Sequence, residues 1–332
     1  MDEVRSALGL TAAEIGEALR LASLAPSVHN SQPWRFAVLR DRVELHADPG
    51  RRLPATDPGD RELRLACGAA LFNLRIALEE AGVRPLTTLV PTGAGSGPLA
   101  VVRHGGRSRP SPQRARLLRA IPARRTNRRP FADVAVPSGH AAELVRATEA
   151  ERAWLHVLST KEDRATLRRL VVQAHRAQLD DPAFLTEFAA WTGSVDGRQD
   201  GVPLRSAGPR PEPQDEWVLR DFTSGKGAER TTGKDFESEP LVVVLCSFHE
   251  GDLAEMQAGQ ALQRLLLTAT VLGLSASFLS QPIEVPRVRS ELRHALGTTL
   301  TPQAVLRLGF GSPVPATPRR PVTELLLPQR IP

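Results

Sequence analysis

A chain of 332 residues, 41% hydrophobic and 24% charged, is long enough for two units of ordinary domain size, and its composition excludes wholesale disorder and a fibrous architecture. A formal net charge of +6 points to nucleic acid only when it is concentrated in a patch or a recognised module; here the arginines are dispersed apart from one cluster, so no nucleic-acid partner is expected. No apolar run approaches the ~18 residues of a membrane span and the start MDEVRSALGL lacks a secretory core, so the expectation is a soluble, cytoplasmic protein with no membrane partner.

Periodicity makes Thr11 to Ala25 a helix, with Thr11 and Glu14 in the order of a capping box. A loop holding Pro26 and Pro33 follows, then Trp34 to Arg40 and Val43 to Asp48 read as the strands of a hairpin. Arg61 to Glu80 is a long helix with Gly82 as a natural C′ residue. A further helix spans Pro112 to Ile121. The stretch from Thr192 to about Glu239 is rich in Gly, Pro and charge, and only Trp217 to Phe222 has the composition of a short helix. A loop this long in a compact protein is a lid or a linker, and a lid is the expectation. Leu241 to Ser247 is a continuous β-branched run and reads as a buried strand, Leu253 to Leu272 as a helix apolar on most sides, and Ala276 to Leu279 as a strand. Cys67 and Cys246 sit in apolar stretches, where two thiols are packing residues rather than a disulfide framework.

The chain repeats itself. Gly68, Leu71, Leu74 and Gly82 recur as Gly259, Leu262, Leu265 and Gly273, each 191 positions on. Pro98, Ala100, Val101, Arg103 and Gly105 recur as Pro302, Ala304, Val305, Arg307 and Gly309, now 204 positions on. The added residues fall where Val288 to Leu296 forms an extra helical stretch. Leu and Gly at helical spacing also coincide by chance; two matches in the same order favour duplication, with copies of about 1–120 and 121–332 and the insert, about 192–239, in the second.

Three constellations could carry chemistry. Arg124-Arg125-Thr126-Asn127-Arg128-Arg129 gathers four guanidinium forks around a hydroxyl and an amide, which suits a phosphate monoester and equally a solvated basic connection. Pro26-Ser27-Val28-His29-Asn30-Ser31-Gln32-Pro33-Trp34 sets short polar side chains between two prolines, either to meet a planar ligand or as an ordinary helix-to-strand turn. Gln281-Pro282-Ile283-Glu284 follows a strand; Pro91 occupies the place of Pro282 in the first copy, but Thr92 and Gly93 replace Ile283 and Glu284. Arg319 and Arg320 lie in a proline-punctuated tail. There is no phosphate-binding Gly-rich loop, no metal-ligand spacing and no G-x-S-x-G nucleophile elbow.

With these motifs in view, the chain resembles the nitroreductase-fold flavoproteins, particularly the Acg-like proteins that fuse two nitroreductase halves in one polypeptide. The resemblance covers nearly the whole chain and is weakest in the insert. It implies an α+β fold in which two fused halves form a pseudo-dimer. It also implies flavin mononucleotide (FMN) held between them. Carried over residue by residue, Arg124, Arg125 and Thr126 look like the phosphate-binding segment, with Arg319 and Arg320 as the tail closing on the same phosphate. Arg128 resembles the cation beside flavin N1 and the C2 carbonyl; Pro282, Ile283 and Glu284 resemble the turn whose backbone N–H approaches N5; Pro26, Ser27, His29 and Asn30 resemble the loop that meets the ring from the other half.

The first copy supplies only the Pro-Ser loop, and the second supplies the arginine segment, the Pro-Ile-Glu turn and the tail, so one complete site is expected. The implied molecule is a monomer that imitates a dimer, with further self-association left open. The implied activity takes hydride from NADH or NADPH and passes it to a small aromatic or quinone-like acceptor. No general acid or base is assigned. A second reading, resting on the insert, is a flavin store whose lid seals the cofactor; a third is a tailoring dehydrogenase acting on a peptide or metabolite, for which no residue identifies a substrate.

Overall fold

The first helix, α1 (Ala12–Ala22), begins where the Thr11 hydroxyl accepts from Glu14 N and the Glu14 carboxylate accepts from Thr11 N at 2.8 Å, a complete capping box. The structure, a computed structural model, describes residues 4–91, 97–109, 111–194, 197–212, 215–227 and 240–328. Thr92, Gly93 and parts of the insert, including its end at Glu239, lie outside the described residues.

After α1 come strands β1 (Trp34–Leu39) and β2 (Arg42–Ala47), helix α2 (Arg61–Glu80), and strands β3 (Val83–Leu89) and β4 (Ala100–Arg107). They form an antiparallel sheet in the order β1-β2-β4-β3. Helices α3 (Pro112–Ala120) and α4 (Ser138–Glu149) lead to β5 (Trp154–Val157), α5 (Lys161–Leu179) and α6 (Pro182–Trp191). The short strands β6 (Thr192–Ser194) and β7 (Val202–Pro203) pair with each other. Then follow β8 (Leu241–Ser247), α7 (Asp252–Val271), β9 (Ser275–Phe278), α8 (Gln281–Glu284), α9 (Pro286–Ala295), β10 (Thr301–Gly309) and α10 (Val322–Leu325). The second sheet runs β5-β8-β10-β9, also antiparallel.

The two sheets share their pairing. Thr87 opposes Val102 in the first, and Phe278 opposes Leu306 in the second, at positions 191 and 204 further on. Leu45 opposes Ala100, and Leu245 opposes Ala304. Helices α2 and α7 lie against each other between the sheets. A Cβ on Gly68 would stand 2.3 Å from the Met256 carbonyl oxygen, and one on Gly259 would stand 2.1 Å from that of Leu65. Only glycine lets the two backbones meet this closely. Both helices end before a glycine with positive φ, Gly82 at 88° and Gly273 at 74°.

The continuous apolar run of β8 is explained by cover on both faces. Val243 and Leu245 pack with Leu262 and Leu265 of α7 and Leu144 of α4. Val242 and Val244 pack with Leu167 and Leu170 of α5 and Leu292 of α9. In the insert, Trp217 to Phe222 is not a helix. Trp217, Val218 and Arg220 are all buried, and a segment of six residues gains little from its own helical hydrogen bonds, so its tertiary contacts set the backbone.

Candidate functional site

The arginine segment is positioned by adding to the edge of the second sheet. Thr126 bridges Ala276 in parallel, and Asn127 N donates to the Ala276 carbonyl at 2.9 Å. The Asn127 amide donates to the Ser312 carbonyl at 3.0 Å, anchoring the chain that leaves β10. The Pro-Ser loop arrives from the first half and is tightly wound: His29, Asn30 and Gln32 have φ of 51°, 57° and 52°. The Ser27 hydroxyl accepts from Gln32 N at 2.9 Å, and the Asn30 amide donates to the Gly201 and Pro318 carbonyls at 3.0 Å each. Non-glycine residues in this region of backbone space are held there by their surroundings and gather at functional sites.

Two adjoining cavities result. The first, about 780 Å³, is lined by Arg20, Arg124, Arg125, Thr126, Arg128 and Arg319, among others, and no carboxylate is among its described lining residues. Arg124 is only 5% exposed, yet its Nε and Nη1 have no hydrogen-bond partner. Burial, reinforced by repulsion from Arg319, Arg125 and Arg128, pushes its pKa down to about 9. Arg319 donates to Asn30 Oδ1 at 2.7 Å and to the Ser23 carbonyl at 2.8 Å, and burial brings it to about 10. Unpartnered buried guanidinium N–H groups with no acid opposite form a receptor for an anion with several acceptor oxygens.

The second cavity, about 930 Å³, shares Pro26, Ser27, Thr126 and Arg128 with the first. Its walls come from Leu65 and Ala66 of α2, Leu262 of α7, the turn after β9, and Trp217 to Arg220 with Phe222 of the insert. Arg128 donates to the Ser206 carbonyl at 2.9 Å and lies 4.4 Å over the Phe222 ring, with its pKa brought to about 10 by burial. His29 meets Phe188 edge-on at 5.2 Å, and burial, with the charge of Arg220, drives its pKa to about 3. The ring is neutral at physiological pH. Glu284 accepts from Arg220 and from Gln178, both at 2.6 Å, and its side chain is 1% exposed. Burial by itself raises its carboxyl, but the Arg220 charge and these hydrogen bonds outweigh it and hold the group below its ordinary range.

Of the residues picked out in the sequence, Pro26, Ser27, His29, Thr126, Arg128 and Glu284 line the apolar cavity, and Asn30, Arg124, Arg125 and Arg319 line the basic one. Three are set back. Pro282 and Ile283 are buried behind the wall, and Arg320 turns the other way to pair with Asp48 at 3.2 Å and meet Gln32. Sequence reasoning missed Glu62, Trp217, Arg220 and Phe222. Glu62, Leu65 and Ala66 stand at i, i+3, i+4 on one helix face, a signal that could have been read; the insert residues carry no periodic signal.

Among the described residues no group of His, Cys, Asp and Glu could hold a metal, and no helix is long and apolar enough to cross a membrane. The geometry joins a basic cavity without carboxylates among its described lining residues to a larger, less polar one, with walls drawn from segments far apart in the chain. The Nitroreductase family model matches residues 6–55. "Putative NAD(P)H nitroreductase acg" of Mycobacterium tuberculosis strain H37Rv is 31% identical over 324 residues, covering 94% of this chain and 94% of that protein. "Putative NAD(P)H nitroreductase Rv3131" of the same strain is 31% identical over 315 residues, covering 93% of this chain and 89% of that protein. Among solved structures, a nitroreductase with bound FMN from Bacteroides fragilis aligns with a TM-score of 0.37 at 15% identity, over 61% of this chain and 92% of that one. This chain belongs to the nitroreductase family.

Proposed function

We propose that the chain is an FMN-dependent oxidoreductase that takes hydride from NADH or NADPH and passes it to a small aromatic or quinone-like acceptor. The observation that carries this reading is Arg124, whose buried Nε and Nη1 have no partner in a cavity with three further arginines of the tail and the arginine segment. Arg124, Arg125, Thr126 and Arg319 would hold the phosphate, and the adjoining apolar cavity would take the ring between the Pro-Ser loop and the turn after β9. When bound, the flavin supplies the atom that accepts and returns hydride. The protein's own residues do the rest: the Asn127 anchor and Asn30 clamp orient the two walls, the insert excludes water, and Arg128 places a positive charge where negative charge develops. The relatives named as NAD(P)H nitroreductases support the same reading. Anaerobic addition of NADH or NADPH to the FMN-loaded protein is expected to bleach the flavin; no bleaching with either overturns the reading.

The same sequence shifts and sheet pairings support two copies, about 1–120 and 121–332, forming a pseudo-dimer with one composite site; the protein is proposed to be cytoplasmic and a monomer that imitates a dimer, with further self-association left open. A second reading, flavin storage, is favoured by the buried Arg220–Glu284 pair, which ties the insert over the cavity. It predicts that Arg220→Met speeds both flavin release and reduction by nicotinamide.

A further inference from the structure

Glu62 stands in the first turn of α2, and its side chain, 12% exposed, helps to wall the apolar cavity. It also lines a smaller cavity of about 210 Å³ with Ser31, Arg51 and Asp57. One carboxyl group therefore faces both spaces. The charged groups around it are Arg61 on its own helix, Asp57 on the preceding loop, Glu284 of α8 and Arg289 of α9. Arg61 is shared: Nη1 donates to the backbone and side-chain oxygens of Gln303 at 2.9 Å, while Nη2 donates to Glu62. Burial is the largest influence on Glu62 and, aided by the negative charges of Asp57 and Glu284, overcomes Arg61 and pushes its pKa up to about 7. Asp57 is likewise raised by burial, although it accepts from Leu63 N at 2.9 Å.

The other titratable groups on the described wall are unsuited to give up a proton at neutral pH. His29 is neutral, Glu284 is held ionised by Arg220, and the remainder are arginines. The position 191 residues beyond Glu62 is Leu253, so the repeat provides this acid once.

We infer that Glu62 is the proton donor to the acceptor in the apolar cavity and is recharged from solvent through the small cavity beside Asp57 and Arg51. The inference rests on the oxidoreductase reading above and narrows the acceptor to one that takes a proton on oxygen, a quinone or a related carbonyl compound. The acceptor gains two electrons and one hydrogen as hydride, originating in the nicotinamide. The Glu62 O–H bond breaks as an O–H bond forms on the acceptor oxygen, and the carboxylate left behind is balanced by Arg61. A solvent proton restores the acid. General acids placed in this way contribute roughly 10²- to 10⁴-fold.

The test compares wild type with Glu62→Gln and Glu62→Asp in two measurements. Infrared spectra of the flavin-free chain should show a carboxylic C=O band that fades as pH rises through neutrality and is missing from Glu62→Gln. In stopped flow on the FMN-loaded proteins, Glu62→Gln should lower reoxidation by a benzoquinone at least tenfold relative to reduction by nicotinamide, and should abolish the wild-type decline in reoxidation above neutral pH. Glu62→Asp should recover part of that rate. An unchanged ratio and pH profile in Glu62→Gln, or no neutral-range band in wild type, overturns the inference while leaving flavin reduction intact. Failure of nicotinamide to bleach the flavin of wild type overturns the oxidoreductase reading and this inference with it.

Discussion

Arg124 occupies a position that makes sense only with an anion beside it. A guanidinium that is buried, repelled by three neighbouring arginines and short of two hydrogen-bond partners is a cost to the flavin-free fold. Replacing it should therefore act in opposite directions on binding and folding. Arg124→Gln is expected to weaken FMN binding by the roughly 1.5–3 kcal/mol of a charge-assisted hydrogen bond, about 10- to 150-fold, while the flavin-free chain becomes no less stable in urea. Flavin fluorescence titration and denaturation measured on the same protein separate the two effects; lower stability with unchanged affinity would make Arg124 a structural residue. His29 gives a second prediction, in pH. Its folded pKa, about 3, lies below its ordinary 6.5, so between these values the unfolded chain binds a proton that the folded chain refuses. Stability from this group is thus complete above about pH 6.5 and falls as pH is lowered, at about 1.4 kcal/mol per unit, or about 2 kcal/mol by pH 5. His29→Asn, which tolerates the left-handed backbone, should flatten this acid slope in urea denaturation at pH 7 and pH 5; an identical slope would show that His29 is not the group responsible.

At the scale of elements, α2 and α7 are the frame on which the walls hang, and their contact depends on two absent side chains. Gly259→Ala would drive a Cβ into the Leu65 carbonyl oxygen, and backbone cannot yield as a flexible side chain can. Overpacking of this kind costs about 1–3 kcal/mol, and because Leu65, Ala66 and Leu262 line the cavity, flavin affinity should fall as well; thermal denaturation with and without FMN checks both. The insert is fastened differently, by a charge pair with almost no solvent. Arg220→Met leaves the buried Glu284 carboxylate without its charge partner and should cost about 3–5 kcal/mol, whereas Arg220→Met combined with Glu284→Gln should recover much of that loss in a double-mutant cycle. How readily such features could be read from sequence follows from their range. The start of α1 and the bounds of α2, α7 and β8 were legible because capping residues, terminal glycines and apolar runs are local signals; the end of α1, read as far as Ala25, falls at Ala22 with no glycine to mark it. Trp217 to Phe222 was not, because its conformation is set by the cavity it covers. Arg320 was not either, because its partner Asp48 lies 272 positions away. Glu62 is the intermediate case: its helix face was visible, but the space in front of it exists only once the Pro-Ser loop, α8 and the insert converge.

For the whole molecule, the decisive question is how many cofactors one chain holds. Residues 191 positions apart meet across α2 and α7: Gly68 lies on Gly259, and Arg64 pairs with Glu255. On the proposed duplication, elements that touch at equivalent positions would be arranged as the subunits of a two-fold dimer, and a true dimer would carry its composite site twice. Here the second place has lost its parts. The counterpart of Glu62 is Leu253, 42% exposed, and those of Gln281 and Glu284 are Val90 and Gly93; the first 20 residues hold no paired arginines to match Arg124 and Arg125. Of the two receptors that symmetry would generate, one retains the guanidinium groups proposed to bind phosphate, whose charge-assisted hydrogen bonds would be the strongest contacts to the ligand. Flavin released by acid from the saturated protein should accordingly amount to one FMN per polypeptide, from a species sedimenting at the mass of a single 36.0 kDa chain. Close to two per chain would mean that the Leu253 side also binds flavin, without any matching arginine pair, and would overturn the assignment of the phosphate to Arg124 and Arg319.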